Sequence, residues 1–167
     1  IFVLGTLCAL GPIAIDMYLP ALPLLARDLA ATDGTIQHTV MAFFLGVTVG
    51  QPIYGPASDR LGRKPIILFG LVIFILATLG CVFASNAASM IALRFLQGLA
   101  GAMSMTIPMA IVRDKYTGIK ATQLISMIIL VLGASPILAP LIGSVILQGH
   151  SWRAIFAEVA RLAAKDT

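Results

Sequence analysis

The 167-residue chain is 59% hydrophobic and 11% charged, with a mean hydropathy of +1.01. A water-soluble domain carries about a quarter of its residues charged, so this composition excludes one and points to an all-α bundle that crosses a bilayer several times. The formal charge of +4 sits in short connections between apolar runs rather than along one helical face, which assigns it to membrane orientation and gives no reason to invoke nucleic acid.

In chain order, the first apolar run extends from Ile1 to Leu25. No basic segment precedes it, so it reads as a transmembrane helix rather than a signal peptide, and a chain that starts inside such a run is expected to be a fragment. Pro12, Pro20 and Pro23 would bend or break a helix in water, but a bilayer tolerates irregular backbone where it lines a cavity. Asp16 is an ionisable group inside this run and therefore a functional candidate; a helix that stops early at Pro20 and Pro23 would instead leave it solvated at the outer interface. A polar loop, 26–34, leads to a second helix expected at about Thr35–Tyr54, where Gly46 and Gly50 have the spacing that lets another backbone approach.

The charged stretch Gly55–Lys64 follows, and its shortness makes the second and third helices antiparallel neighbours. The third, about Pro65–Ala84, carries no charge and is expected to face lipid and act as scaffold. The fourth, about Met90–Val112, contains Arg94 one turn from its start, where it either snorkels outward or serves function. Met103, Met105 and Met109 follow as an adaptable apolar surface or as core filling. After the loop 113–120 comes the fifth helix, about Thr122–Leu147, with Pro136 and Pro140 four apart. Six basic residues, Arg60, Arg63, Lys64, Arg113, Lys115 and Lys120, fall on one side against Arg27 and Arg153 on the other, which places the N-terminus in the cytoplasm. Arg63 and Asp114 end up at one membrane face, so a charge pair between them is expected.

From Ser151 the sequence opens like a sixth helix, but residues 157–167 place Glu158, Arg161, Lys165 and Asp166 close together, a density that does not cross hydrocarbon. Trp152, Ile155, Phe156, Val159 and Leu162 nevertheless keep helical spacing, which suits an amphipathic helix lying in the interface; the preferred reading is an aberrant tail from a truncation or frameshift. Cys8 and Cys81 lie at different depths, and His38 and His150 lack ligand-spaced partners, so neither a disulfide nor a metal site is indicated.

Gly55, Asp59, Arg60, Gly62, Arg63 and Lys64 follow the order G-x-x-x-D-R-x-G-R-K. This resembles the loop signature between the second and third helices of the major facilitator superfamily. The run RFLQGLAGA, with Arg94, Gln97 and Gly98 in place and Ala100 where a glycine is expected, resembles the fourth-helix signature of its drug:proton antiporters. Ser135, Ala139, Pro140, Gly143 and Ser144 resemble the fifth-helix antiporter signature, with small residues at three glycine places. With IDMYLPALP in the first helix, about 150 residues resemble the bicyclomycin and chloramphenicol resistance group.

The resemblance implies that residues 1–156 are the first half of a twelve-helix bacterial inner-membrane exporter, about five spans plus an incomplete sixth, with a C-terminal half missing. It implies exchange of small apolar or amphipathic drugs for protons without nucleotide, metal or other cofactor. Asp16 would carry the proton with Arg94 as its regulator, Tyr18, Gln97 and Met105 would meet the substrate in a cavity between halves, the Gly55–Lys64 motif with Asp114 would govern conformation, and Pro136, Pro140 and Gly143 would bend the fifth helix. A metabolite, sugar or amino-acid transporter of the same fold remains open. So does a non-transporting membrane fragment that dimerises through Gly46 and Gly50.

Overall fold

The structure, a computed structural model, describes residues 2–149 and 151–165; the expectations placed on His150 and Asp166 lie outside these. The described residues form seven α-helices: α1 (Phe2–Asp16), α2 (Leu22–Asp28), α3 (Asp33–Leu61), α4 (Arg63–Val82), α5 (Ala87–Lys115), α6 (Gly118–Gly149) and α7 (Arg153–Ala164), with a 3-10 turn at Leu19–Ala21. Five stretches are long and apolar enough to cross a membrane: Gly5–Asp28, which takes in α1 and α2, then α3, α4, α5 and α6. The protein is therefore a multi-pass, all-α membrane bundle. At 12 residues, α7 spans about 18 Å, short of a hydrocarbon core of about 30 Å.

The helices extend further than hydropathy suggests. At 29 residues each, α3 and α5 are about 43 Å long and outrun the hydrocarbon core. Most of the charged stretch Gly55–Lys64 is consequently helix rather than loop. α3 continues through Pro52 and Pro56 to Leu61, and the whole break is Gly62, whose φ of +93° few L side chains adopt. Both long helices start on side-chain caps at the opposite end: Thr32 Oγ1 accepts from Thr35 N–H at 3.2 Å, and Asn86 Oδ1 accepts from Ser89 N–H at 2.8 Å. Arg60 on α3 and Arg113 and Lys115 on α5 occupy last turns, where exposed carbonyl ends favour cations.

The bundle is organised by α3 lying on α5. A methyl group at Gly46 would strike the Phe95 carbonyl oxygen, one at Gly50 would lie 2.6 Å from the Ala102 Cβ, and one at Gly98 would strike the Phe43 carbonyl oxygen. Three glycines thus let two backbones touch, as small residues do between membrane helices. Because Gly46 and Gly50 are consumed inside the chain, the expectation that they could serve dimerisation is overturned. On α6, Ser135, Ala139 and Gly143 are buried at four-residue spacing, and a Cβ at Gly143 would strike the Met17 carbonyl, so α6 lies against the end of α1. α6 runs unbroken through Pro136 and Pro140.

α4 has two faces. Phe69, Val72, Leu76 and Leu79 are exposed, as expected of a lipid-facing scaffold, while Leu71, Phe74, Thr78 and Cys81 are buried against the bundle. The apolar face of α7 packs against the bundle: Trp152, Ile155, Phe156 and Val159 join the core formed with α1, α4 and α5, with Leu162 partly buried beside them. At its start, Trp152 Nε1–H donates to Asp28 Oδ2 at 2.7 Å and Arg153 Nε–H donates to Val82 O at 3.0 Å, which ties α2, α4 and α7 together.

The glycine contact is testable. Gly98→Ala forces α3 away from α5 and should lower the thermal midpoint of the detergent-purified chain, by an overpacking cost of about 1–3 kcal/mol. Gly133→Ala, where nothing lies within 4 Å of the new methyl, should leave the midpoint unchanged or raise it slightly. Equal midpoints for the two variants would show that the α3–α5 approach is not limiting.

Candidate functional site

The first constellation arises where α1 stops. Pro20 has no N–H for the Asp16 carbonyl and its ring would clash there, so the chain leaves the α-helix one turn ahead of it. Tyr18 N–H turns from Ala14 to the Ile15 carbonyl at 3.2 Å, and the chain tightens into the 3-10 turn. This frees the Ala14 carbonyl, and Arg94 Nη1–H of α5 donates to it at 3.3 Å.

Arg94 is fully buried, with 0% of its surface exposed. Its Nη1 also donates to Gln97 Oε1 at 2.7 Å; Gln97 Nε2 donates to Thr78 Oγ1 at 2.8 Å, whose hydroxyl donates on to Phe74 O at 2.6 Å. The guanidinium carbon lies 4.3 Å from the centre of the Tyr18 ring, 4.5 Å from that of Phe43 and 5.8 Å from that of Phe156. Desolvated cation–π contacts of this kind contribute about 2 kcal/mol. Arg94 Nε and Nη2 have no hydrogen-bond partner, and among the described residues Arg94 makes no ion pair. A buried cation with unused donors costs several kcal/mol, so this arrangement is not one that stability alone would select.

Asp16 does not pair with Arg94. It is half-buried at the end of α1, two residues beyond the carbonyl that Arg94 holds. Tyr18 and Gln97, expected to face a substrate cavity, are both 0% exposed: Tyr18 lies under the guanidinium and bonds Thr39 Oγ1 at 2.6 Å, and Gln97 links Arg94 to Thr78. Met105 is half-buried, with its Cε near Gly11 of α1, whereas Met103 is core, packed on Gly70. Reading the sequence did not single out Ala14, Thr39, Phe43 or Thr78, and placed Phe156 only on the apolar face of the last segment. Only Thr78 left a trace, as a hydroxyl in the otherwise apolar stretch 65–82 of α4.

The second constellation is at the basic end. Arg63, directly after Gly62, reaches back to Asp59 Oδ1 at 2.6 Å and across to Asp114 Oδ2 on α5, with Nη2 at 2.9 Å and Nε at 3.1 Å. Its Nη1 donates to Ser58 Oγ, which donates to Gly55 O at 2.9 Å. The motif therefore acts as one unit, with Gly62 turning the chain so that Arg63 joins the ends of α3, α4 and α5. Arg60 and Lys64 are exposed.

These features define a class: a polytopic bundle with a broken first span, a buried cation held at the break and an ion cluster clamping three helix ends. Discontinuous helices of this kind build the sites of secondary transporters. The chain belongs to the Major Facilitator Superfamily, whose match covers residues 4–163. It is 40% identical over 163 residues to Multidrug resistance protein D of Escherichia coli and 38% identical over 156 residues to the Bicyclomycin resistance protein homolog of Haemophilus influenzae. Each alignment covers 93% of this chain, and the chain spans only 40% and 39% of those relatives. The human organic anion transporter MFSD10 (TETRAN) shares the fold, with a TM-score of 0.80 at 18% identity over 99% of this chain and 44% of that one.

The buried cation generates an asymmetric expectation. Gln97→Leu removes the best acceptor of Arg94 and should destabilise the chain by about 1–3 kcal/mol, whereas Arg94→Met removes the unpaired charge itself and should leave the thermal midpoint unchanged or higher. A large loss of stability in Arg94→Met would make Arg94 a structural residue.

Proposed function

We propose that the chain forms half of a drug exporter of the bacterial inner membrane, which works with a second half to exchange small apolar or amphipathic compounds for protons. The observation that carries this reading is the likeness to the bicyclomycin and multidrug resistance relatives across 93% of the chain, taken together with a carboxyl group at a helix break, two residues beyond the carbonyl that an under-bonded arginine holds. With its proton, Asp16 is neutral and Arg94 stays on the Ala14 carbonyl. Without it, the new carboxylate competes for the unused Nε and Nη2 donors of Arg94, and movement of the guanidinium toward it would shift α5 against α1. Proton gain and loss is thereby converted into relative motion of two spans, which alternating access requires. The Arg63 cluster serves as a latch in one of the alternating states, since parting α5 from α4 breaks its bonds to Asp114.

In this reading the basic face is cytoplasmic, because short loops rich in Lys and Arg are retained on that side. Thr32→Cys and Lys120→Cys place thiols at exposed positions of opposite ends, while native Cys8 and Cys81 are 1% and 0% exposed. A membrane-impermeant maleimide added to intact cells should label the first and not the second; the reverse pattern would invert the topology.

The coupling role is tested in a transporter assembled with its second half. Asp16→Asn should abolish export driven by an imposed pH gradient while membrane expression persists. Undiminished gradient-driven export would remove Asp16 from the mechanism.

A further inference from the structure

Beside the Arg63 cluster, a crevice of about 320 Å³ opens between α4 and α5 at the basic end of the bundle. Arg63 and Asp114, already paired with each other, form part of its wall. Lys64 and Lys115, one from each helix, are exposed and make no ion pair among the described residues. One helical turn deeper, Ile67 and Leu68 of α4 and Ile111 of α5 complete the lining. Leu68 is 37% exposed and belongs to the lipid-facing side of α4.

We propose that this crevice is a binding site for an anionic phospholipid, a role independent of what the protein transports. The charges match: two unpaired ammonium groups suit a phosphodiester, and the face as a whole carries six basic residues (Arg60, Arg63, Lys64, Arg113, Lys115, Lys120) against Asp59 and Asp114. The depth matches as well. Lys64 and Lys115 lie where helices outrun the hydrocarbon and headgroups reside, and the apolar lining lies a turn, about 5 Å, further in, where acyl chains begin. A free anion would use the lysines and leave Ile67, Leu68 and Ile111 without a partner; a lipid uses both parts. A headgroup bridging Lys64 to Lys115 draws α4 and α5 together alongside the Arg63–Asp114 pair, so that the composition of the inner leaflet bears on the same latch.

The experiment reads lipid contact at the crevice itself. Leu68→Trp, or Ile111→Trp on the opposite wall, supplies a fluorescent reporter in the full chain, while native Trp152 is 2% exposed and adds a background measured in the parent protein. The reporter protein is reconstituted in bilayers that mix phosphatidylcholine with phosphatidylglycerol, one or the other carrying brominated chains that quench on contact. The expected result is a preference for phosphatidylglycerol of about fivefold or more, the factor that a single basic residue near an anionic surface supplies. Lys64→Gln with Lys115→Gln should reduce that preference to near one, and Lys64→Arg with Lys115→Arg should retain it, which separates lost charge from lost fold. Inorganic phosphate should leave the preference intact when compared with sodium chloride at equal ionic strength. Equal quenching by the two lipids at both reporters, or a preference that survives the glutamine pair, would overturn the site. Selective displacement by inorganic phosphate would also overturn it, by assigning the crevice to a free anion.

Discussion

The contact on which most of the structure depends is the meeting of the α3 and α5 backbones at Gly46, Gly50 and Gly98. Because the Gly98 backbone touches that of Phe43, the Phe43 ring comes to lie over Arg94, four residues before Gly98 on the same helix. The same pair of helices runs in one direction, and about 20–24 Å of rigid rod, from Gly46 to Asp59 and from Gly98 to Asp114, carries their relative placement to the other end. There Asp59 of α3 and Asp114 of α5 come within reach of one arginine. The buried cation and the surface ion cluster are therefore two readings of one helix packing. A change that moves α5 against α3 or α1 is felt at both.

Much of this was legible in the sequence, and what was not has identifiable physical causes. The five spans, their order and the meeting of Arg63 with Asp114 follow from hydropathy and charge placement, because the bilayer leaves few alternatives for an apolar run of that length. The expected end of α3 at Tyr54 falls seven residues short of Leu61, because Gly55 and the charges after it read as a connection. In a membrane bundle the helix carries on through them to Gly62, whose positive φ supplies the actual stop. The spacing of Gly46 and Gly50 announced a close approach without naming the partner. That partner, the stretch Phe95–Ala102, bears only the complementary smallness of Gly98 and Ala102.

Arg94 was recognised as an anomaly beside Gln97, yet its second acceptor was not, because the Ala14 carbonyl is main chain and carries no side-chain signature. A rule of backbone chemistry does point to it. A proline four residues beyond Asp16 ends the helix early, and ending it leaves carbonyls one turn back without donors. The gathering of aromatic rings around the guanidinium was equally invisible, since Tyr18 at the helix break, Phe43 of α3 and Phe156 of α7 share no sequence spacing.

A fully satisfied arginine at this place would be inert. If the Nε and Nη2 donors of Arg94 were bonded, moving the guanidinium would cost those bonds, and the arrangement would be locked by several kcal/mol. Held instead by one carbonyl at 3.3 Å, one amide and two aromatic faces, the side chain is fixed in position but short of partners. Cation–π attraction varies gently with lateral displacement, unlike a directional hydrogen bond, so the rings keep the charge tolerable along a path as well as at a point. The missing hydrogen bonds then supply the driving force for a motion toward any acceptor that gains negative charge nearby. In the proposed exporter, a buried cation that is costly at rest is, for that reason, one that the loss of a single proton from Asp16 would move.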